Sequence, residues 1–267
     1  MTKIIGIIGC GWLGLPLAKH LLEKGCRVKG TTTNPEKVSQ LTANGVESYV
    51  IALFENKIEG DISGFLKDVE ILIINIPPKH RKPPYQSYVS KIKNLEKAII
   101  ESSVSKVIFA SSTSVYGNIE GEITEYSPTE PNTESGRQLV EVESNLTPNT
   151  NFKTTIVRFG GLLGNNRHPV NHIVKKEQLT NGEELINLIH LNDCIGIISS
   201  IIQQNYWGKI VNGVYPYHPK KSEYYKNEAS KLGLKIPTYV KKNEKIVKKN
   251  IVCKNFLYYY DWSITTT

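Results

Sequence analysis

The chain of 267 residues, 39% hydrophobic and 22% charged, is long enough to bury a core of native depth and has an ordinary globular composition, which excludes a disordered or fibrous protein. Its net charge of +8 is local, because residues 220–254 hold eleven lysines against Glu223, Glu228 and Glu244. That stretch carries no interleaved arginines and no reading motif, so no specific nucleic-acid partner is expected, and its lysines read as a solvated surface compatible with an anionic small molecule.

Cys10, Cys26, Cys194 and Cys253 are widely spaced and do not cluster with the histidines. Neither a metal site nor a disulfide framework is expected, and a reducing, cytoplasmic setting is. No apolar run approaches the roughly eighteen residues of a membrane helix.

In chain order, "KIIGIIG" predicts a first strand rather than a signal peptide. "LGLPLAKHLLEKG" predicts a helix with Leu13, Leu17 and Leu21 on one face and Gly25 as its stop. "CRVKGTT" is the second strand, "NPEKVSQLTANG" a helix opened by Asn34 and Pro35, and "VESYVI" the third strand. "VEILIINIPP" is a continuous apolar run closed by Pro77 and Pro78, the pattern of a parallel strand buried on both faces. An amphipathic helix ("YQSYVSKIKNLEKAIIESS"), a strand ("KVIFASS"), a helix ("SGRQLVEVES", with Leu139, Val142 and Leu146 in one stripe) and a strand ("KTTIVRFGG") follow. "HLNDCIGIISSIIQQ" predicts a helix capped by Asn192 or Asp193. The alternation predicts an α/β fold, a Rossmann-type doubly wound parallel sheet with a smaller C-terminal lobe. Residues 1–157 and about 185–212 would form the core, and about 158–184 and 213–267 the substrate-side lobe.

Gly9, Gly11 and Gly14 form G-x-G-x-x-G directly after the first strand and opening the first helix. The first glycine permits the tight turn, the second lets a pyrophosphate approach the backbone, and the third lets helix and strand pack closely. Trp12 and Leu13 lie at the helix N-terminus aimed at the phosphates. The second strand ends in Thr31, Thr32 and Thr33 with Lys29 and Lys37 nearby, and no acid precedes Glu36. An acid there would bond the adenosine ribose; its absence favours NADP, with NAD as the alternative. Ile76 after the fourth strand and Ser111 at the end of the fifth complete the expected cofactor lining.

"VIFASSTSVYGN", taken with "GGLLGNN", "LIHLNDCIGII" and the glycine motif, resembles the extended branch of the short-chain dehydrogenase/reductase superfamily, the NAD-dependent epimerase/dehydratase group. The resemblance runs over nearly the whole chain and is more specific for the fold than for the reaction. It implies that Ser112, four positions before Tyr116, polarises a substrate oxygen. The family's catalytic tyrosine and lysine follow in a Y-G-x-x-K helix. Matching Gly136 and Glu143 to the family glycine and glutamate puts Ser135 at the tyrosine position and Leu139 at the lysine position. The chain is thus similar to the atypical members that lack the active-site tyrosine, which implies a retained cofactor site and a degenerate proton relay.

Other residues weighed for the site are Tyr116 as a proton donor, and His80, Arg81, Arg158 and Arg167 as holders of an anionic substrate or a sugar nucleotide. Gln138 reads as solvated and Arg137–Glu141 as a surface pair. The expected function is an NAD(P)-binding oxidoreductase or a nucleotide-sugar epimerase/dehydratase-like enzyme, acting on a small molecule as a monomer or homodimer. The alternative is a non-catalytic NADP(H)-binding regulatory or redox-sensing protein.

Overall fold

The computed structural model describes residues 2–78, 86–240 and 248–256. Seven strands form one sheet: β1 (Ile4–Ile8), β2 (Arg27–Thr32), β3 (Glu47–Val50), β4 (Ile71–Ile74), β5 (Lys106–Ser112), β6 (Lys153–Phe159) and β7 (Ile210–Gly213). Their order across the sheet is β3-β2-β1-β4-β5-β6-β7 and every pairing is parallel. The order reverses between β1 and β4. In such sheets this reversal leaves a crevice at the carboxyl ends of the strands, because the crossovers on its two sides run to opposite faces.

The apolar run of β4 shows how two layers share one sheet. Ile71 and Ile73 join the cluster built by Leu17 and Leu21 of α1 (Gly14–Glu23) and by Ile197, Ile198 and Ile201 of α7 (Leu191–Gln203). Leu72 and Ile74 join the other cluster. It takes Phe65 from α3 (Ile62–Leu66), Ile92, Leu95 and Ile99 from α4 (Tyr88–Ile100), and Leu139, Val142 and Leu146 from α5 (Glu134–Leu146). Period-two alternation serves both faces, so neither can be polar.

The sequence-derived elements differ from the structure in instructive places. Asn34 opens a 3-10 turn, Pro35–Lys37, by accepting from the Glu36 amide (3.0 Å), and the helix proper is α2, Val38–Ala43. Helix α7 is capped by neither Asn192 nor Asp193: the His190 ring nitrogen Nδ1 accepts from the Asn192 amide at 3.2 Å, and Asp193 is buried in the first turn. Because β6 runs through Phe159, Arg158 belongs to the sheet and not to the lobe. The lobe carries its own small cluster, Leu163, Val170, Leu188, Tyr225 and Ala229, on α6 (Val170–Ile173), α8 (Lys221–Lys231) and a short parallel pair, Gly161–Leu163 with Leu188–His190, joined by Ile186 just before that pair's second strand.

Beneath β5 and β6 lies a buried ion pair. The side chains of Arg158 (5% exposed) and Glu143 of α5 (7%) meet at 2.6 Å, Nη2 to Oε2, with Nε donating to the same oxygen at 3.1 Å. Ser111 Oγ donates to Glu143 Oε1 at 2.5 Å, and Arg158 Nη1 donates to the Tyr116 hydroxyl at 2.9 Å. That hydroxyl donates in turn to Asn212 Oδ1 of β7 at 2.8 Å. Removing one partner leaves the other charge buried without compensation, so Arg158→Met and Glu143→Leu should each lower the unfolding free energy by about 3–5 kcal/mol in urea titrations. The double substitution should cost less than the sum of the two.

Candidate functional site

The glycine loop is shaped by contacts no side chain would permit. Gly9 sits at φ +98°, and a Cβ there would lie 2.6 Å from the Asn75 carbonyl oxygen; one on Gly14 would lie 2.2 Å from the Gly9 oxygen. The turn is pinned from both neighbouring strands: Gly9 N donates to Thr31 Oγ1 (3.0 Å), Cys10 N to the Thr31 oxygen (2.8 Å), and Asn75 Nδ2 to the Gly9 oxygen (3.1 Å). Gly11 differs: it is exposed, and a Cβ would meet nothing within 4 Å. Leu13, the cap residue of α1, offers no side-chain bond to the helix, and the first turn holds no acid. The N-terminus of α1 therefore points its amides and the positive end of its dipole into the crevice beside β4. These features fit a dinucleotide: a bare backbone at Gly11 for the pyrophosphate and donor groups for its oxygens.

At the end of β2, Thr31 and Thr32 are buried and their hydroxyls serve backbone groups, Thr31 the Gly9 amide and Thr32 the Asn34 amide (3.1 Å). Lys29 is turned away, its Nζ donating to the Gly64 and Lys67 oxygens at the end of α3 (2.9 and 2.8 Å). Thr33 and Lys37 are exposed. Ile76 lies against Gly9, and its carbonyl accepts from the Tyr88 hydroxyl at 2.7 Å.

Ser112 ends β5, half-buried, with Oγ accepting from the Ser114 amide at 3.2 Å and so capping the 3-10 turn Thr113–Tyr116. Its neighbour Ser111, which the sequence assigns to the cofactor lining, is buried, and its hydroxyl donates to Glu143. Tyr116 as a proton donor is corrected by its burial: it is fully enclosed, and desolvation pushes its phenol up from the ordinary value against the Arg158 guanidinium beside it. Arg158 is likewise committed to Glu143 and cannot hold a substrate. His80 and Arg81 lie outside the described residues.

On α5, Ser135 is half-buried and Leu139 is in the core stripe. Gln138 is not solvated. Its Oε1 accepts from the Tyr88 amide at 2.6 Å, tying the start of α4 to α5, while Nε2 donates to Glu134 at 2.9 Å. Arg137 pairs with Glu134 (3.0 Å) and Glu141 with Lys93 (3.4 Å), not with each other. Asn75 is marked in the sequence only as the polar residue that ends the apolar "ILII" run, and Asn212 carries no local signal.

Between the serine turn and the lobe lies a cavity of about 320 Å³ whose polar lining includes Thr113, Asn118, Asn187, Lys221 and Lys249. The Lys249 ammonium donates to the Gly117 oxygen at 2.7 Å, and burial followed by the nearby Lys221 charge lowers its pKa. Glu184 is drawn to Lys221, the two meeting at 2.5 Å. Among the described residues no group of three His, Cys, Asp or Glu side chains could hold a metal ion, and no helix is long and apolar enough to cross a membrane.

The NAD(P)H-binding family model matches residues 9–186, from the first glycine of the loop to just before the lobe strand Leu188–His190. The chain belongs to this family. Protein YeeZ of Escherichia coli K12 is 32% identical over 265 residues, covering 97% of this chain and 96% of that one. Among solved structures, a UDP-glucose 4-epimerase from Thermotoga maritima with UDP-glucose superposes with TM-score 0.75 at 16% identity, covering 94% of this chain and 89% of the other. A UDP-glucuronic acid 4-epimerase from Bacillus cereus in complex with NAD gives 0.71 at 19% identity, covering 90% and 86%. The chain shares the fold of these two epimerases, and the NAD(P)H-binding match spans the glycine loop and most of the sheet that carries it.

The two crowded glycines and the open one separate stability from binding. Gly14→Ala should lower the melting temperature by several degrees, since its methyl would overlap backbone. Gly11→Val should melt close to the wild type yet lose NAD(P) binding by calorimetry, because its side chain would occupy the space left for the pyrophosphate.

Proposed function

We propose that the protein is an NADP(H)-dependent oxidoreductase of the epimerase/dehydratase type that interconverts a hydroxyl and a carbonyl on a small anionic substrate without the family's tyrosine and lysine. The reading is carried by Ser112, a half-exposed hydroxyl at the carboxyl end of β5, next to a turn residue, Thr113, that lines the cavity toward the lobe. A nicotinamide bound in the crevice would supply or accept the hydride. Ser112 donates its hydrogen bond to the substrate oxygen on which negative charge grows as the carbonyl is reduced. In that direction the oxygen takes a proton from water, since Ser135 and Leu139 offer neither a phenol nor an ammonium at the relay positions. Lys221 and Lys249 give the cavity an excess of positive charge over Glu184, which supports an anionic substrate; a sugar nucleotide is the larger member of that class.

The preference for NADP(H) rests on the acid-free end of β2 and on the exposed Thr33 and Lys37. A second reading, a dinucleotide-binding protein that senses the cofactor without turnover, is favoured by one observation: α5 presents Leu139 to the core where the relay lysine would stand.

The serine assignment is tested by NADPH oxidation over a panel of carbonyl acids and nucleotide-linked ketosugars. Ser112→Ala should reduce turnover by about 100-fold, the weight of one transition-state donor, and Ser135→Ala should leave it within about twofold. The reverse order of losses would move the chemistry to α5, and wild-type inactivity across the panel would favour the sensing role. Lys37→Ala should weaken NADP(H) about fivefold and leave NAD(H) unchanged in calorimetric titrations.

A further inference from the structure

The sequence offered Arg167 as a substrate residue, but the structure places it against the cofactor loop. Gly164–Arg167 is a closed two-residue turn, with Gly164 N donating to the Arg167 oxygen (2.9 Å) and Arg167 N to the Gly164 oxygen (3.0 Å). Its central residues, Asn165 and Asn166, have φ of 42° and 62°. Asparagine tolerates this left-handed conformation better than any residue except glycine, so "GNNR" encodes a rigid turn. The turn is seated on the start of α7: Gly164 itself has φ +115°, and a Cβ there would lie 2.6 Å from His190 Nε2.

This turn is fastened to the glycine loop by Trp12. The indole Nε1 donates to the Gly164 oxygen at 3.3 Å, and the Arg167 guanidinium lies 5.1 Å from the center of the Trp12 ring. Trp12 is the residue between Gly11 and Leu13, at the point where the bare backbone and the α1 N-terminus face the crevice. Arg167 is exposed, so a guanidinium held over the indole keeps N–H groups available to solvent and to an anion. A cation held in that way beside a pyrophosphate-binding loop has one chemical use that matches its position: a forked bond to phosphate oxygens.

We propose that Arg167 is a pyrophosphate clamp, a cofactor-binding residue supplied from outside the glycine motif and positioned by Trp12. The assignment rests on the dinucleotide reading of the glycine loop. It also makes the turn after β6 part of the cofactor site, so that the start of α7 and the loop after β1 close on the same ligand from two sides.

The test is calorimetric titration of the full-length wild type, Arg167→Ala, Arg167→Lys and, as a remote charge control, Lys209→Ala. ADP-ribose, which keeps the pyrophosphate and lacks the nicotinamide, and NADP+ are the probes. Arg167→Ala should weaken both probes about tenfold, Arg167→Lys by less, and Lys209→Ala by under about twofold. Melting temperatures without nucleotide establish that each variant is folded; should Arg167→Ala fail to fold, the lysine variant carries the comparison with an expected loss of about threefold. Trp12→Phe should also weaken ADP-ribose, because the guanidinium loses the better stacking surface. Equal affinities of the wild type and both arginine variants for ADP-ribose would overturn the clamp while leaving the cofactor site intact. Absence of binding to the wild type would overturn the dinucleotide reading itself.

Discussion

The contact on which the architecture around the site depends is the ion pair between Glu143 and Arg158. Both side chains are almost wholly enclosed, and they reach their partners with two nitrogens and both carboxylate oxygens, the arrangement a buried pair needs to offset its loss of hydration. The pair fixes the distance between α5 and the sheet. Through Ser111, Tyr116 and Asn212 it also fixes the ends of β5 and β7 relative to one another. Those hydroxyls are engaged below the sheet, whereas Ser112 is half-buried at the end of β5 with its Oγ capping the 3-10 turn. Helix α5 is stapled at its other end to α4 by the Gln138 bond to the Tyr88 amide.

A second constraint shapes the cofactor side. Gly9 and Gly14 are crowded by backbone on neighbouring turns, so the loop cannot relax outward, while Gly11 faces open space. Thr31 from β2 and Asn75 after β4 hold the loop from opposite sides of the strand-order reversal. The crevice, the uncapped α1 N-terminus and the bare Gly11 backbone are consequences of one topology, and together they give the NAD(P)-binding domain its form.

Much of this was legible in the sequence because it is periodic or local. The alternating strands and helices, the continuous run of β4, the strand-to-helix setting of the glycines and the apolar stripe of Leu139, Val142 and Leu146 follow from patterns of two, three or four residues. What was not legible depends on partners distant in the chain. Arg158 reads as a free charge until Glu143 is set beside it. Tyr116 reads as a reactive phenol until Arg158 and Asn212 enclose it. Gln138 looks solvated because its partner, the Tyr88 amide, is fifty residues away. The contact of Arg167 with Trp12 is illegible too, because nothing local connects the two and Trp12 lies in the first loop of the fold. His190 does not read as a cap because its capping bond comes from a ring nitrogen in place of the usual short oxygen-bearing side chain.

The proposed function requires an intact cofactor crevice with no side-chain proton relay beside it. A crystal structure of the protein with NADP+ measures this most directly. The nicotinamide C4 should lie beside Ser112 Oγ and the pyrophosphate over Gly11, with no tyrosine hydroxyl or lysine ammonium in hydrogen-bond reach of the nicotinamide ribose. A tyrosine and lysine from elsewhere in the chain bonded to that ribose, or a cofactor seated away from the glycine loop, would contradict it.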